Sequence, residues 1–313
     1  GACAIGMVFY TAFLPLIAPE ARVGRISGYG WGLGYFGGLA CMIVGLYAFI
    51  GFAPNPGWLG IGTEEGLHAR STNLLVAGWF LVFSMPMFLF VREERPPGGR
   101  IDLRGALREM RGTLRRVRRF REASRFLLAR VIYNDGLVTI FAFGGIYAVG
   151  TFGFTLTEVL IFGIVINVAA GLGALGFGFL DDRVGGKATV LLSLAALGAS
   201  VATAMLAPTR AWLWVAALGI GAFSGPNQSA SRSLMARFIP PRRHSEFFGF
   251  FAFSGKITAF LGPLLFGAAT ELFGSQRAGV ATVLVFFLVG AWLLRGVDER
   301  RGIEAASQGA TGV

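Results

Sequence analysis

Two ionisable side chains of this sequence lie well inside long apolar runs, away from their ends, where charge is costly. Asp135 is about nine residues into the run 126–150, and Lys256 is about ten residues into the run 246–273. At membrane depth a charge costs about 3 kcal/mol unless it is paired or hydrated. A carboxylate can carry a proton, and two opposite charges can hold a zwitterion. We therefore expect the two side chains to share a cavity, as a direct pair or through a substrate; a buried structural ion pair is the alternative.

Four amides add hydrogen-bonding groups to the same runs: Asn134, Asn167, Asn227 and Gln228. An amide inside a membrane either binds substrate or links two helices, a link that contributes about 0.6 kcal/mol. Asn134, beside Asp135, is a candidate for substrate contact, whereas we expect Asn167 to link helices. Both roles stay open for Asn227 and Gln228, because Pro226 removes a backbone donor just before them and can expose carbonyl groups to a ligand.

The elements that position these side chains are predicted to be membrane helices. The 313 residues are 54% hydrophobic and 14% charged, with a mean hydropathy of +0.65, whereas a soluble domain carries roughly 25% charged residues. A spanning helix needs about 20 mainly apolar residues. Stretches of that kind occur at 1–18, 25–53, 72–91, 126–150, 157–180, 187–207, 211–235, 246–273 and 279–296. The fold class is therefore an all-α membrane protein. The two cysteines and two histidines form no sequence cluster, so we expect no metal site, no cofactor and no enzyme activity.

The arginines predict the orientation of these helices. If alternate loops face the same side, 22 of the 28 Lys and Arg residues lie on one side and three on the other. The positive-inside rule places the richer side, and the C-terminus, in the cytoplasm. Topology explains the net charge of +11, so no nucleic-acid partner is expected.

An internal repeat indicates two related halves. At an offset of 221 residues, one set of positions matches another: Pro19, Arg22, Gly28 and Gly34 with Pro240, Arg243, Gly249 and Gly255. If the second half starts near residue 126, its counterpart starts roughly 95 residues before residue 1, which leaves room for three more helices. We expect an N-terminally truncated chain that carries helices 4–12 of an intended twelve.

The loop 92–125 separates the two halves. It carries twelve arginines, and its apolar residues recur every three or four positions, which predicts an amphipathic helix at the cytoplasmic membrane surface. A regulatory or calmodulin-type target and a plain solvated connector are the open alternatives. The predicted organisation is the end of the first half at 1–91, this linker at 92–125, the second half at 126–296 and a cytoplasmic tail at 297–313.

A short charged loop at residues 178–190, the signature loop, joins two of the apolar runs. It fits the pattern G-x-L-x-D-R-x-G-x-K through Gly178, Leu180, Asp182, Arg183, Gly185 and Lys187. The pattern resembles the signature of the major facilitator superfamily of secondary transporters, although Gly186 stands where that family usually has Arg or Lys. The resemblance implies twelve helices in two halves and a charge network that gates the cytoplasmic side.

Asp182 is the expected centre of that network. A helix N-terminus favours a nearby carboxylate, so we expect Asp182 to dock at the start of the run 25–53. Arg130 and Arg232 lie near the cytoplasmic ends of their runs, where both can extend toward the interface. Arg232 is alternatively a partner of Asp182 in the gating network.

Glycines in two runs predict a close helix crossing. The run 25–53 contributes Gly28, Gly32 and Gly34, and the run 157–180 contributes Gly171 and Gly173. Small residues four apart let helices approach closely. By the resemblance these are helices 5 and 8, which face each other across the halves. Close contact there suits rocking between the halves, and static packing is the alternative.

Three further stretches narrow the resemblance. They are Tyr133-Asn134-Asp135-Gly136, the run from Gly225 to Ser233, and Glu246-Phe247-Phe248-Gly249 followed by Ser254-Gly255-Lys256. Together they resemble the vacuole-effluxer-like family of autophagy-related protein 22, which implies transport and amino-acid efflux.

The predicted function is that of a secondary transporter that moves a small solute by alternating access, with protons as an implied coupling ion. We expect a monomer in a bacterial inner membrane. A non-transporting sensor or scaffold and an inert fragment are the alternatives. A transporter predicts one polar cavity that contains Asp135, Asn227 and Lys256, whereas a scaffold predicts that these groups are buried separately.

Overall fold

The computed structural model describes residues 13–52, 55–62, 67–90, 120–239 and 244–311. The Cα positions form two compact units, one of residues 34–106 and the other of residues 1–33 with 107–313. The predicted helix of the linker 92–125 lies outside the described residues, except for its last six residues. Most of the predicted span 1–18 also lies outside them.

The first part of the chain is helical with one small hairpin. Its elements are α1 (Leu14–Ile17), a 3-10 turn (Glu20–Arg22), α2 (Val23–Val44), a π-helical segment (Gly45–Ile50), the strands β1 (Gly51–Phe52) and β2 (Asn55–Pro56), and α3 (Leu67–Phe90). The two strands pair in antiparallel orientation, with Gly51 opposite Pro56. The smaller unit begins inside α2 at Gly34 and includes α3.

The second part consists of eight described helices. They are α4 (Arg121–Phe152), α5 (Leu156–Val184), α6 (Gly186–Leu206), α7 (Arg210–Arg237), α8 (His244–Ser254), α9 (Leu261–Phe273), α10 (Gln276–Arg295) and α11 (Glu299–Thr311). The predicted tail at 297–313 thus contains the helix α11.

Local chemistry sets two of these boundaries. Helix α5 starts with a capping box, in which the Thr155 hydroxyl accepts from the Glu158 N–H and the Glu158 carboxylate accepts from the Thr155 N–H. It ends at Gly185, whose φ of 92° is accessible to glycine at little cost and lets α6 begin at the next residue. The turn between α5 and α6 is therefore a single residue.

Six described helical segments have the length and apolar composition to cross a membrane: 23–50, 70–90, 121–152, 158–184, 186–206 and 276–295. Helix α7, predicted as a span, is long enough, but Ser, Asn and Arg residues crowd its second half and lower its hydropathy. The predicted run 246–273 is not one helix. It breaks between Ser254 and Leu261 into α8 and α9.

Close helix crossings organise the larger unit, in which α5 and α6 pack along α7, and α10 packs against α4 and α6. Gly221 and Gly225 of α7, four residues apart, face the backbone carbonyls of Ile166 and Ala170 of α5, which are also four apart. Any Cβ at these two glycines would collide with α5. Packing of this kind, without a hydrophobic driving force between helices, stabilises association in lipid.

Candidate functional site

The break between α8 and α9 is held by side chains of α4. A broken helix leaves its last carbonyl groups without intrahelical donors, and a membrane offers no water to replace them. Arg130 donates to the Phe251 carbonyl and to the Ser254 hydroxyl, both at 2.8 Å, and Asn134 donates to the Gly255 carbonyl at 3.1 Å. Two polar residues of α4 therefore satisfy the open end of α8.

The position of Arg130 differs from the sequence-based expectation. Instead of extending to the interface, its guanidinium lies 3.7 Å from the centre of the Phe251 ring and binds the α8 carbonyl. A cation is favoured at a helix C-terminus, which explains the inward direction. Asn134, expected to contact substrate, is occupied here by the backbone of the break.

Asp135 lies on the α9 side of the same break. Its side chain is buried, with 1% exposure, and neither carboxylate oxygen has a hydrogen-bond partner among the described residues. The Thr258 hydroxyl of the break and the Gly262 N–H of α9 are the polar groups that face this carboxylate, and the Thr258 hydroxyl donates to the Val131 carbonyl at 3.4 Å. Gly262 is pressed against α4, since a Cβ there would lie 2.9 Å from the Asp135 carbonyl oxygen.

Lys256 does not neutralise Asp135. Both residues are described, they form no ion pair within 4 Å, and Lys256 is exposed within the break. The direct pair expected from sequence is therefore absent. A shared substrate between them stays a prediction.

Asn227 is buried inside the larger unit. Its amide nitrogen donates to the Ser193 hydroxyl of α6 at 2.9 Å, while its amide oxygen has no partner in the described part of the chain. Helix α7 continues through Pro226, and the Ala222 carbonyl, which Pro226 deprives of its donor, faces Gly173 of α5. Gln228, the neighbouring candidate, is half-buried.

The signature loop binds the start of α2. One Asp182 oxygen accepts from the Gly24 N–H at 2.8 Å; the other accepts from the Arg25 N–H at 3.3 Å and from the Arg25 Nε at 2.6 Å. First-turn N–H groups of a helix have no intrahelical acceptor, so the carboxylate both satisfies them and interacts with the positive end of the helix dipole. This is the docking that the sequence predicts; its role in gating stays a prediction.

Arg237 connects this carboxylate to two others. Its guanidinium pairs with Asp181 at 2.8 Å, with Glu299 at 3.4 Å and with Asp182 at 3.8 Å. Asp181 is 1% exposed and also accepts a short hydrogen bond from the Ser233 hydroxyl. We refer to Asp181, Asp182, Arg237 and Glu299 as the charge network.

The sequence placed a different arginine in this network. Arg232, expected to pair with Asp182, binds Ser27 of α2 instead, with its Nε 3.0 Å from the hydroxyl and a terminal nitrogen 2.9 Å from the carbonyl oxygen. Five residues of helix rotate a side chain by about 140°, so residues 232 and 237 of α7 face different neighbours. The Ser27 hydroxyl in turn donates to the Ser229 carbonyl at 2.7 Å.

Glu299, at the start of α11, caps a second helix. Its two oxygens accept from the N–H groups of Gly186 at 2.9 Å and Lys187 at 3.0 Å, which open α6. The Lys187 ammonium donates to the Arg295 carbonyl at 3.0 Å, at the end of α10. Sequence reasoning missed Asp181, Arg237 and Glu299, although all three adjoin the predicted ends of apolar runs.

The predicted glycine crossing between α2 and α5 forms in part. Gly28 contacts the Ala174 carbonyl and Gly178, which leaves no space for a Cβ. A Cβ at Gly32 would lie 2.7 Å from the Leu175 side chain and 3.2 Å from the Gly171 carbonyl oxygen, so that side chain would have to move. The other two glycines behave differently from the prediction: Gly34 has open space around it, and Gly173 packs against α7.

An apolar cavity of about 680 Å³ lies at the ends of the helices away from the signature loop. Its lining comes mainly from α4, α5, α7 and α10 and includes Phe141, Phe143, Phe162 and Phe266, with Asn167 and Gln276 among its few polar side chains. Asn167 donates to the Gly163 carbonyl of its own helix at 2.8 Å rather than to a second helix. Asp135, Asn227 and Lys256 do not line this cavity, so the single polar cavity predicted for them is not seen there.

Comparison with known proteins identifies the class of protein. A family model described as vacuole effluxer Atg22 like matches residues 18–307. The fold is shared with a crystal structure of the E. coli Major Facilitator Superfamily transporter FucP in the outward conformation, with a TM-score of 0.71 at 15% identity over 93% of this chain and 72% of that one.

The chain therefore belongs to the vacuole effluxer Atg22-like family and has a major facilitator fold. It is 27% identical over 305 residues to the uncharacterized MFS-type transporter YxiO of Bacillus subtilis, covering 96% of this chain and 69% of that protein. It is 23% identical over 304 residues to autophagy-related protein 22-1 of Penicillium rubens, covering 89% of this chain and 50% of that protein.

These relatives confirm the family, the helical fold class and a multi-pass membrane protein of the transporter type, not an enzyme. The chain spans about half the length of the Penicillium relative.

Proposed function

We propose that this chain is a secondary transporter that moves a small solute by alternating access, with Asp135 as its proton-coupling group. The observation that carries the proposal is a buried carboxylate, at the interruption of a helix, that has no hydrogen bond to any residue in the described part of the chain. In transporters, interrupted helices place unpaired backbone groups where substrates and ions bind. An unpaired carboxylate at membrane depth is costly, which favours a functional role over a structural one.

The charge network supplies the second part of the proposal, a reversible closure of one end. Asp182 holds the N-terminus of α2 by hydrogen bonds from the Gly24 and Arg25 N–H groups, and these bonds break if α2 moves away from α5. By the arginine distribution this is the cytoplasmic end. Closure there corresponds to the state in which the opposite side of a transporter is open.

The substrate class is proposed from family membership. Amino-acid efflux is implied by the resemblance stated above, and the opposite charges of Asp135, beside the break, and of Lys256, within it, match those of a zwitterion. Asn227 and Gln228 are further amides of the same unit, and Asn134 can contact a substrate once its hydrogen bond to the Gly255 carbonyl breaks. We place the protein in a bacterial inner membrane as a monomer.

The transport proposal is tested by reconstitution. Proteoliposomes with the wild-type protein are loaded with a panel of radiolabelled amino acids, and efflux is measured with and without an imposed proton gradient. We expect gradient-dependent efflux of at least one member of the panel. Protein-free liposomes give the rate of passive leak. The Asp182→Ala variant shows how far efflux depends on the proposed gate. Equal release from protein-free and protein-containing vesicles for the whole panel contradicts amino-acid transport.

The gating proposal has its own test. In a Cys3→Ser, Cys41→Ser background, a cysteine at Ser27, which is fully buried, reports on access to the end that carries the signature loop. We expect Asp182→Ala to raise its reaction rate with a water-soluble thiol reagent at least tenfold. Asp298→Ala is the matched control, because that carboxylate pairs only with the exposed Arg301 among described side chains. Equal rates in wild type and Asp182→Ala contradict the gate.

A further inference from the structure

A second cavity, of about 770 Å³, lies where the signature loop meets the ends of three helices. It is bounded by the start of α4, the turn between α5 and α6, and the junction of α10 and α11. Six basic side chains line it: Arg125, Arg183, Lys187, Arg295, Arg300 and Arg301. Three acidic side chains line it as well: Glu122, Asp298 and Glu299. The lining therefore carries an excess of three positive charges.

The acidic side chains of this basic cavity are already engaged. Glu122 accepts from the Asp298 N–H at 2.7 Å and pairs with Arg125 at 3.0 Å. Glu299 caps α6, and Asp298 pairs with Arg301.

The excess positive charge is concentrated on three arginines. Arg183, Arg295 and Arg300 have exposed side chains without an ion pair or side-chain hydrogen bond among the described residues. Arginine presents a planar set of donors that suits phosphate oxygens. These three arginines can therefore bind an anion, because the acidic side chains that line the cavity pair with other groups.

The level of this cavity relative to the predicted membrane indicates which kind of molecule carries the anion. Two candidate membrane spans end at its rim, one at Val184 and the other at Arg295. Val184 and Ile303, both exposed apolar side chains, form part of the lining, and Trp292 is 70% exposed one turn before Arg295 on α10. Tryptophan next to basic residues at the ends of spans is typical of the membrane–water interface, the level of lipid head groups.

We propose that this cavity binds the phosphate of an anionic lipid head group. The arginines contact the phosphate oxygens, and the apolar lining contacts the start of the acyl chains. The site is separate from Asp135 and from the apolar cavity, and it does not depend on which solute is transported. A soluble phosphate ester offers the same oxygens but no acyl chain, so it does not use the apolar lining.

The test measures lipid binding directly. The wild-type protein in a neutral detergent is titrated with phosphatidylglycerol, and bound lipid is counted by native mass spectrometry. For Arg295→Gln/Arg300→Gln we expect affinity for phosphatidylglycerol to fall roughly 10- to 30-fold, since each basic group near a membrane surface contributes about 1 kcal/mol. Arg295→Lys/Arg300→Lys keeps the charge and is expected to retain most of the binding.

The matched control is Arg22→Gln/Arg70→Gln, which removes two exposed arginines outside the basic cavity and is expected to leave affinity unchanged. Equal affinity of wild type and Arg295→Gln/Arg300→Gln for phosphatidylglycerol overturns the proposal. So does equal binding of phosphatidylcholine to the wild type. Displacement of the lipid by glycerol 3-phosphate at the same concentration as the lipid overturns the assignment to a lipid.

Discussion

Asp182 and Asp135 are buried carboxylates in opposite situations. Each lies near the first turn of a helix, Asp182 at α2 and Asp135 at α9. Asp182 accepts three hydrogen bonds from Gly24 and Arg25 at the start of α2, whereas Asp135 accepts none from the described residues. The contrast separates a carboxylate that holds two helices together from one that is available to a proton or a substrate.

Loss of Arg237 should have the largest effect on stability. The Arg237→Gln variant leaves the buried Asp181 without its cation, and an uncompensated buried charge costs about 3–5 kcal/mol. We expect a clear fall in the thermal unfolding midpoint in detergent. Arg301→Gln, which removes a 78% exposed partner of Asp298, is the control and should unfold like wild type. Equal midpoints for the two variants would show that the charge network does not stabilise this fold.

Neutralising Asp182 should lower stability, whereas neutralising Asp135 should not. Asp182→Asn weakens hydrogen bonds to the α2 N-terminus and should cost about 1.5–3 kcal/mol of unfolding free energy. Asp135→Asn removes a buried charge that has no partner among the residues that the structure describes, so stability should stay the same or rise. Thermal unfolding of both variants in the same detergent gives the comparison. A destabilised Asp135→Asn would mean that Asp135 is a structural group after all.

The packing of α2 offers a matched pair of glycines. Gly28→Ala places a Cβ against the Ala174 carbonyl and should cost about 1–3 kcal/mol. Gly34→Ala meets nothing within 4 Å and should stabilise the helix by up to about 1 kcal/mol. Thermal unfolding midpoints of the two single variants give the comparison. A lower midpoint in both variants would mean that the contact with Ala174 is not the cause.

The smallest effect is expected at Glu299. Its carboxylate, 18% exposed, caps α6, and Glu299→Gln should cost about 0.5–1 kcal/mol through the weaker interaction with the helix dipole. Glu304→Gln, an exposed position on the same helix, is the control. If Glu304→Gln lowers the free energy of unfolding by the same amount, the effect comes from the net charge of α11 and not from the cap on α6.

The sequence predicted contacts where a backbone rule applies and missed those that depend on side-chain direction. Asp182 was predicted to bind the start of α2 because any helix N-terminus favours a carboxylate. Arg232 was assigned by its depth alone, and depth does not tell which face of α7 a residue occupies. Arg237, five residues further, faces the carboxylates instead.

The break between α8 and α9 has a sequence signal in Pro263. Pro263 lacks an N–H and is tolerated in the first turn of a helix, which matches its place in α9. The residue equivalent to it at the offset of 221 is Met42, and α2 continues without interruption to Val44. Positions 42 and 263 lie beyond the matched residues 19–34 and 240–255, and apolar content alone made the run 246–273 resemble one span.

The most direct measurement compares two modes of transport in the Asp135→Asn variant. Proteoliposomes are assayed for accumulation driven by a proton gradient and for exchange of labelled against unlabelled solute without a gradient. If Asp135 carries the coupling proton, gradient-driven accumulation is lost while exchange persists near the wild-type rate. Accumulation at the wild-type level in Asp135→Asn would contradict the account.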